Sequence, residues 1–228
     1  AEIPRIFTDK QFMQQKLAKV TDPVVRAFWE KEMAQTSDFH KSEMLGYLVS
    51  KVGRFIENTM MRNIIGQARS GLDFEDIMNN RKILLANLSK GKVGDVNANL
   101  LGLILVGKMQ LTALRRAFLT EEQRVDFYLY LDEFQNFTTD SIATILSEAR
   151  KYKLDMVMAH QFIAQLPDKI KASVFGNVGS MVVFRVGVED AEFLAPQFAP
   201  VFGPKDLINL DNHNCYVKLM VKGQTSRP

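Results

Sequence analysis

The stretch Phe127-Tyr-Leu-Tyr-Leu-Asp-Glu133 decides how the rest of the sequence is interpreted. Five apolar or aromatic residues run directly into two carboxylates, which is the pattern of a buried strand ending at a polar edge. Neighbouring side chains at a strand end point in different directions, so Asp132 and Glu133 can have separate tasks. One carboxylate can support Mg²⁺ while the next polarises a water molecule, as in the Walker B strand of nucleotide hydrolases. A strand that merely ends in surface acids gives the same pattern.

Strand-like and helical patterns alternate on both sides of this stretch. Apolar runs of strand length are followed by segments with apolar residues at helical spacing, which favours a mainly parallel sheet covered by helices. We therefore predict an α/β fold for residues 79–228. The predicted strands are 82–88, 127–131, 155–159, 179–186 and 214–221, and the predicted helices are 95–118, 141–152, 168–175 and 189–198.

The first 78 residues carry a different, helical pattern. Thr21 is predicted to cap a helix whose first turn contains Asp22 and Pro23, and Ser37 is predicted to begin another helix with apolar residues at helical spacing. Up to residue 80 there are eleven basic and eleven acidic residues, so this part is not an evident DNA-binding cation. We predict a small all-helical region at 1–78, packed on or beside the α/β core.

The composition excludes several classes of protein. Hydrophobic residues make up 46% of the chain and charged residues 24%, which excludes disorder, and a net charge of +3 excludes a histone-like polycation. Cys215 is the only cysteine, so no internal disulfide forms and a reducing, cytoplasmic compartment is expected. The sequence lacks CxxC and HExxH motifs, which disfavours structural zinc, and it has no apolar run long enough for a membrane span.

Two further residues stand where chemistry is expected in such a fold. Gln161 follows the predicted strand 155–159, at the sheet edge where α/β folds bind ligands, and could contact a γ-phosphate or orient water. A polar residue that begins a helix is the alternative interpretation. Arg150 ends the helix between two strands and could reach a neighbouring subunit's phosphates as an arginine finger, or simply be a solvated cation at a helix end.

Several segments, in order, resemble a known family. The stretch Tyr130-Leu-Asp-Glu-Phe-Gln-Asn-Phe137, then Ser147-Glu-Ala-Arg-Lys-Tyr152, then Ala159-His-Gln161 are similar to the second half of the RecA-like motor of the FtsK/HerA superfamily. The closest members are the TraG/TraD-like conjugative coupling proteins of type IV secretion. The resemblance covers about residues 80–228. The helical first third resembles only loosely the all-helical insertion between Walker A and Walker B in coupling proteins.

The resemblance implies a fold, a function and a set of roles. The fold would be the C-terminal part of a RecA-like P-loop ATPase core. The protein would be a hexameric, ATP- and Mg²⁺-dependent motor that translocates DNA or protein–DNA substrates with type IV secretion components. It would lie in the cytoplasm, at the inner face of the cell membrane through N-terminal segments. Asp132 would be the Mg²⁺-side acid, Glu133 the catalytic base and Gln161 the nucleotide sensor, with Arg150 as the trans arginine and Arg185 as a second candidate.

The sequence also departs from the family pattern. It contains no GxxxxGK[ST] motif, and in the nearest glycine turn, Gly91-Lys-Val-Gly94, the lysine is followed by Val and Asp95 would repel phosphate. We expect a piece of a longer protein whose Walker A lies upstream, so that this chain alone is inactive. Two alternatives are a HerA-like DNA translocase or secretion-channel energising ATPase, and a non-catalytic assembly or recognition module with a degenerate ATPase fold.

Overall fold

A computed structural model divides the chain into two compact units, Ala1–Leu72 and Asp73–Pro228. It describes residues 2–138, 142, 145–146 and 148–226, without the side chain of Arg54. The sequence predicts a boundary between residues 78 and 79, whereas in the structure the helix Phe74–Asn79 is part of the second unit. Among the residues so described, no helix is long and apolar enough to cross a membrane.

All regular secondary structure in the described part of the first unit is helical. A π-helical turn, Phe28–Glu32, lies between the third and fourth helices, and Trp29 in it contacts the ring of Phe7. Phe12, Leu17 and Met61 are buried inside the unit. The helices are α1 (Glu2–Thr8), α2 (Lys10–Leu17), α3 (Pro23–Ala27), α4 (Met33–Gln35), α5 (Asp38–Glu57) and α6 (Thr59–Ile65).

Side-chain caps fix where these helices begin. The Ser37 side chain accepts the backbone N–H of His40 at 3.4 Å, which confirms the predicted start of α5. The predicted cap at Thr21 is wrong, because Asp22 is the N-cap of α3. Its carboxylate accepts the N–H groups of Val24 and Val25, leaving Pro23, which has no N–H, in the first turn.

The second unit is built around one pair of parallel strands, β1 (Phe127–Leu131) and β2 (Leu154–Met158), with Leu131 opposite Met158. The long helix α9 (Asp95–Arg115) packs Val106, Met109 and Ala113 into the same core as Leu129 and Leu131 of β1. The other helices and strands of the unit are α7 (Phe74–Asn79), α8 (Lys90–Val93), α10 (Asp168–Asn177), β3 (Met181–Val183), α11 (Val188–Phe198), α12 (Pro204–Ile208), β4 (Tyr216–Lys218), β5 (Met220–Val221) and β6 (Gln224–Thr225).

The strands predicted at 127–131 and 155–159 are therefore confirmed as neighbours. The strand predicted at 82–88 is wrong: the segment has no strand partner and its Ile83 and Leu85 side chains are 88% and 89% exposed. In the described part of the chain, β1 is bonded only to β2, and 82–88 lies across a cleft from its other edge. An apolar run becomes a strand only when a sheet edge receives its backbone hydrogen bonds.

The third strand of the predicted parallel sheet is also placed differently. β3 pairs antiparallel with β4, not with β2, and it packs in a separate apolar cluster with α11 and α12 that contains Ala191, Phe198 and Leu207. The strand predicted at 214–221 is divided into β4 and β5. Because β3 is only three residues long, its pairing depends on that local cluster more than on its own sequence.

The predicted helices are mostly present. α9 continues as a 3₁₀ turn, Arg116–Phe118, and α10 and α11 match the helices predicted at 168–175 and 189–198. Residues 139–141, 143–144 and 147 of the segment around the predicted helix 141–152 lie outside the described residues. Its described end is a 3₁₀ turn, Ala149–Tyr152.

Arg116, at the end of α9, is 1% exposed although it is charged. Its guanidinium donates to the backbone carbonyl oxygens of Val125 (2.9 Å), Tyr152 (2.9 Å), Lys153 (3.1 Å) and Met78 (2.8 Å) and to Asn79 Oδ1 (3.0 Å). Burial lowers the pKa of Arg116, and the nearby Asp126 charge opposes this shift. One side chain thus joins α9 to α7 and to the segments that lead into β1 and β2.

We expect Arg116→Met to lower the free energy of unfolding by about 3–5 kcal/mol, because the buried carbonyl groups would lose their shared donor. Urea unfolding measures the change. The matched control is Arg115→Met, whose exposed guanidinium pairs with Glu75 and should contribute less than about 1 kcal/mol. Equal losses for the two variants would contradict the role of Arg116.

Candidate functional site

The structure brings Glu133 and Gln161 together at the carboxyl ends of the parallel strands. Asp132 and Glu133 follow β1, and Gln161 follows β2 by three residues. The Nε2 atom of Gln161 donates to Oε1 of Glu133 at 2.5 Å. The register of β1 and β2 is the cause, because it places Leu131 beside Met158 and so makes the two strands end together.

Glu133 is the corner residue where the strand turns into the 3₁₀ turn Phe134–Phe137. Its φ angle is 50°, in the left-handed region that non-glycine residues rarely adopt. Asp132 Oδ1 accepts the Glu133 N–H at 3.0 Å, and the Glu133 carbonyl accepts the N–H of Asn136 at 3.0 Å. Phe134, fully buried, donates its N–H to the Ala159 carbonyl at 3.0 Å. Hydrogen bonds from both strands therefore hold the strained corner in place.

The Glu133 carboxylate receives an amide donor on each oxygen. Gln135 Nε2 donates to Oε2 at 2.6 Å, and Gln161 donates to Oε1. These bonds, that of Gln135 first, lower the pKa of Glu133; the charges of Lys90 and His160 act in the same direction and partial desolvation opposes them. Glu133 is thus held ionised and oriented. Gln135 is not among the site residues predicted from the sequence, although it lies only two positions after Glu133.

Asp132 is exposed at the same edge, and its Oδ1 accepts a hydrogen bond from the Glu133 N–H. Among the residues that the structure describes, no group of three or more His, Cys, Asp or Glu side chains could hold a metal ion. Proteins often bind Mg²⁺ through only one or two carboxylates together with substrate phosphates. Asp132 therefore fits a Mg²⁺ that is shared with a phosphate ligand, and not a site made by the protein alone.

A cleft of about 1380 Å³ opens beside the carboxylates. Its walls are the unpaired edge of β1, residues 81–90 and one side of α9, and both Asp132 and Glu133 line it. Lys90, at the end of the segment 81–90, donates to Asn136 Oδ1 at 3.4 Å and lies 3.7 Å from Asp95. The predicted glycine turn at residues 91–94 lies largely in the short helix α8, and the Asp95 carboxylate lies beside Lys90, which makes this segment a poor cradle for phosphate.

His160 connects this site to the second apolar cluster. Its ring packs edge-on against Phe134 at 5.4 Å, and the carboxylates of Glu133 and Asp190 lie close enough to affect it. Asp190, in the first turn of α11, accepts the N–H of Ile163 at 3.3 Å. Burial lowers the pKa of His160, and the two carboxylates oppose this shift.

Neither of the two arginines singled out in the sequence lies just after β1 or β2, as the carboxylates and Gln161 do. Arg150 is exposed on the turn before β2, at the amino end of the strand, whereas Glu133 follows the carboxyl end of β1. A five-residue strand of about 3.3 Å per residue puts about 17 Å between these two ends. Within one chain, Arg150 is therefore far from the carboxylates. Arg185 is exposed just after β3, which pairs with β4 and not with β1 or β2.

Comparison with known proteins gives one match. Residues 126–211 match the family model described as the TraM recognition site of TraD and TraG. This segment is 86 of the 228 residues; it begins one residue before β1 and includes Asp132, Glu133, Arg150, Gln161 and Arg185. The match supports a relationship to conjugative coupling proteins. No curated protein and no solved structure matches the chain significantly.

We expect His160 to titrate below the ordinary histidine value of about 6.5, because burial disfavours its charged form. Its contribution to stability is then complete above about pH 6.5 and is lost as the pH falls below that value, since the unfolded chain binds the proton more readily. NMR of the imidazole protons measures the pKa. In urea unfolding the fall in stability should be smaller for His160→Gln, and a His160 pKa at or above 6.5 would contradict the prediction.

Proposed function

We propose that this chain is part of a conjugative coupling protein that hydrolyses ATP to move DNA, or a protein–DNA complex, through a type IV secretion apparatus. The observation that carries the proposal is the ionised Glu133 at the end of a parallel strand, next to Asp132 and hydrogen-bonded to Gln161 from the neighbouring strand. The match over residues 126–211 supports the relationship to coupling proteins, and the arrangement of the carboxylates supports the hydrolase chemistry.

In this proposal Glu133 is the general base. A carboxylate oxygen of Glu133, which is ionised at neutral pH, takes a proton from water; the amide donors that lower the pKa of Glu133 also weaken it as a base until one of them leaves. In the absence of substrate, Gln161 donates a hydrogen bond to Oε1 of that carboxylate. When Gln161 turns to a phosphate oxygen, Oε1 of Glu133 becomes free to accept the proton, so that hydrolysis begins only with nucleotide in place.

The described residues account for Mg²⁺ better than for ATP. Asp132 would hold Mg²⁺, whose positive charge stabilises the charge that develops on the phosphate oxygens. ATP also needs a phosphate-binding loop, and the 228 residues contain no GxxxxGK[ST] motif. The proposed ATPase is therefore this chain together with such a loop from elsewhere in the protein.

Ring assembly is the arrangement that would give Arg150 a catalytic role. Arg150 lies at the opposite end of the strands from Glu133, so it cannot serve the carboxylates of its own chain without a large movement. In a six-membered ring it would reach the phosphates bound by the next subunit, and Arg185 is the second candidate. A HerA-like translocase or a secretion-channel energising ATPase would use the same parts. DNA-stimulated ATPase activity favours the DNA motors over the energising ATPase.

The match itself favours a second function, recognition of a TraM-like partner. The matched segment contains twelve acidic and seven basic residues, whereas the whole chain has a net charge of +3. This excess of acidic residues would complement a basic partner, since opposite charges steer association. Recognition needs no ATP, so it agrees equally with an assembly module that has lost catalysis.

In the protein with its phosphate-binding loop, we expect Glu133→Gln to reduce ATP hydrolysis by about 10²–10⁴-fold and to leave ATP affinity nearly unchanged, because the amide keeps the shape and loses the base. Asp132→Asn should weaken Mg²⁺-dependent binding and hydrolysis together. Glu121→Gln, on an exposed turn, is the control and should remain active. A fully active Glu133→Gln variant would contradict the assignment of the base.

For the recognition function, we expect this chain to bind the TraM protein of its transfer system, and to bind it less tightly at high salt. The charge reversal Glu189→Lys/Glu192→Lys, on exposed positions of α11 within the matched segment, should weaken binding, as calorimetry would measure. Glu43→Lys/Glu57→Lys makes the same charge change on α5 and is the control. Equal effects of the two double variants would contradict a specific acidic surface, and no binding at all would contradict the recognition function.

A further inference from the structure

The side-chain amide of Gln135 makes a contact that the proposed reaction does not yet use. Its Nε2 atom donates to Glu133 Oε2 at 2.6 Å, while Gln161 donates to the other oxygen at 2.5 Å. The two amides differ in their surroundings. Gln161 is exposed on the loop after β2, whereas Gln135 is partly buried in the turn Phe134–Phe137. One donor is therefore free to move, and the other is enclosed.

The other end of the Gln135 amide shows what sets its orientation. Its Oε1 atom is buried and has no hydrogen-bond partner among the residues that the structure describes. Turning the amide over would place this oxygen against the Glu133 carboxylate, where two acceptors would face each other. Buried polar atoms without a partner are uncommon in folded proteins, and here the bond to Glu133 decides which end of the enclosed amide faces the carboxylate.

The backbone around Gln135 is also fixed. The residue before it, Phe134, is fully buried and donates its N–H to the Ala159 carbonyl. The residue after it, Asn136, donates both its N–H and its Nδ2 to the Glu133 carbonyl at 3.0 Å. Gln135 thus projects from a turn that is anchored on both sides, and its amide can direct the carboxylate of Glu133.

We propose that Gln135 is a positioning residue for Glu133: it keeps the carboxylate in one direction when Gln161 releases the other oxygen. Without Gln135, the departure of Gln161 would leave the carboxylate with no side-chain hydrogen bond in the described site, and it would rotate away from the cleft. The mechanistic meaning of this role rests on the proposed ATPase function. The contact itself does not, because it is present in the folded chain without nucleotide.

The first test uses this chain alone and measures motion by NMR. Gln135→Met keeps the length of the side chain and removes both the donor and the buried unpaired acceptor, so the fold should be retained. We expect the side-chain methylene groups of Glu133 to become several-fold more mobile in this variant. Gln161→Met should have a smaller effect, and Gln165→Met, at an exposed position of a nearby turn, should have none.

A second variant separates the hydrogen bond from the shape of the side chain. Gln135→Glu keeps the shape, and at a pH high enough to ionise both neighbouring carboxylates it cannot donate, so under that condition it should loosen Glu133 at least as much as Gln135→Met does. It also covers the case in which the methionine variant fails to fold. Unchanged mobility of Glu133 in the folded variants would overturn the proposal. Glu133→Ala adds a spectroscopic check, since it should shift the Gln135 side-chain NH₂ resonances.

The second test measures turnover in the protein with its phosphate-binding loop. Gln135→Met should lower kcat by about 10- to 100-fold, the scale of a misdirected catalytic group, with the KM for ATP unchanged. A rise in KM with unchanged kcat would overturn the positioning role. If Glu133 loosens in the NMR experiment but the intact protein hydrolyses no ATP, the proposed function fails while the positioning of Glu133 stands.

Discussion

The second unit depends on the buried guanidinium of Arg116. It donates hydrogen bonds to α7 and to the segments that precede β1 and β2. One side chain therefore links three parts of the chain that are distant in sequence. The Lys153 carbonyl that accepts from Arg116 also accepts the N–H of Phe127. The first hydrogen bond of the parallel pair is therefore made at the atom that Arg116 fixes. Arginine suits this position because its five donors can serve several carbonyl groups at once.

The position of the candidate site at the carboxyl ends of β1 and β2 follows from the same strand pairing, one strand length from Arg116. Once the amino ends of β1 and β2 are aligned, their carboxyl ends are aligned too, and Asp132, Glu133 and Gln161 are brought to one edge. The chain then turns at Glu133 in a left-handed conformation, which a non-glycine residue adopts at a cost. Burial of Phe134 and the hydrogen bonds across the turn offset that cost, so the rigid core maintains the strained corner.

Hydrolysis and partner recognition are compatible in this arrangement. Both would use the segment 126–211, but the proposed hydrolysis uses the end of β1, whereas the charge available for recognition is spread over surface acids such as those of α11. The loop from Ala159 to Ile163 joins the two regions. At one end Gln161 bonds Glu133, and at the other end Asp190 of α11 accepts the Ile163 N–H. Hydrogen bonds at both ends of this loop thus connect the Glu133 carboxylate to the first turn of α11.

The sequence by itself determined the features that depend on local patterns. The apolar run that ends in Asp132 and Glu133 forms a strand because of its side-chain pattern, and Ser37 begins a helix because it is a cap. Strand–helix alternation predicts that β1 and β2 are parallel neighbours, because the connection between them is long enough for a crossover. Only the tertiary structure decided that residues 82–88 remain unpaired, that β3 joins β4, that Gln135 contacts Glu133, and that Arg116 is buried among backbone carbonyl groups. A strand pairs only with a backbone edge that another segment brings beside it. A side-chain amide or guanidinium likewise finds its acceptor only when segments that are distant in sequence meet in the fold.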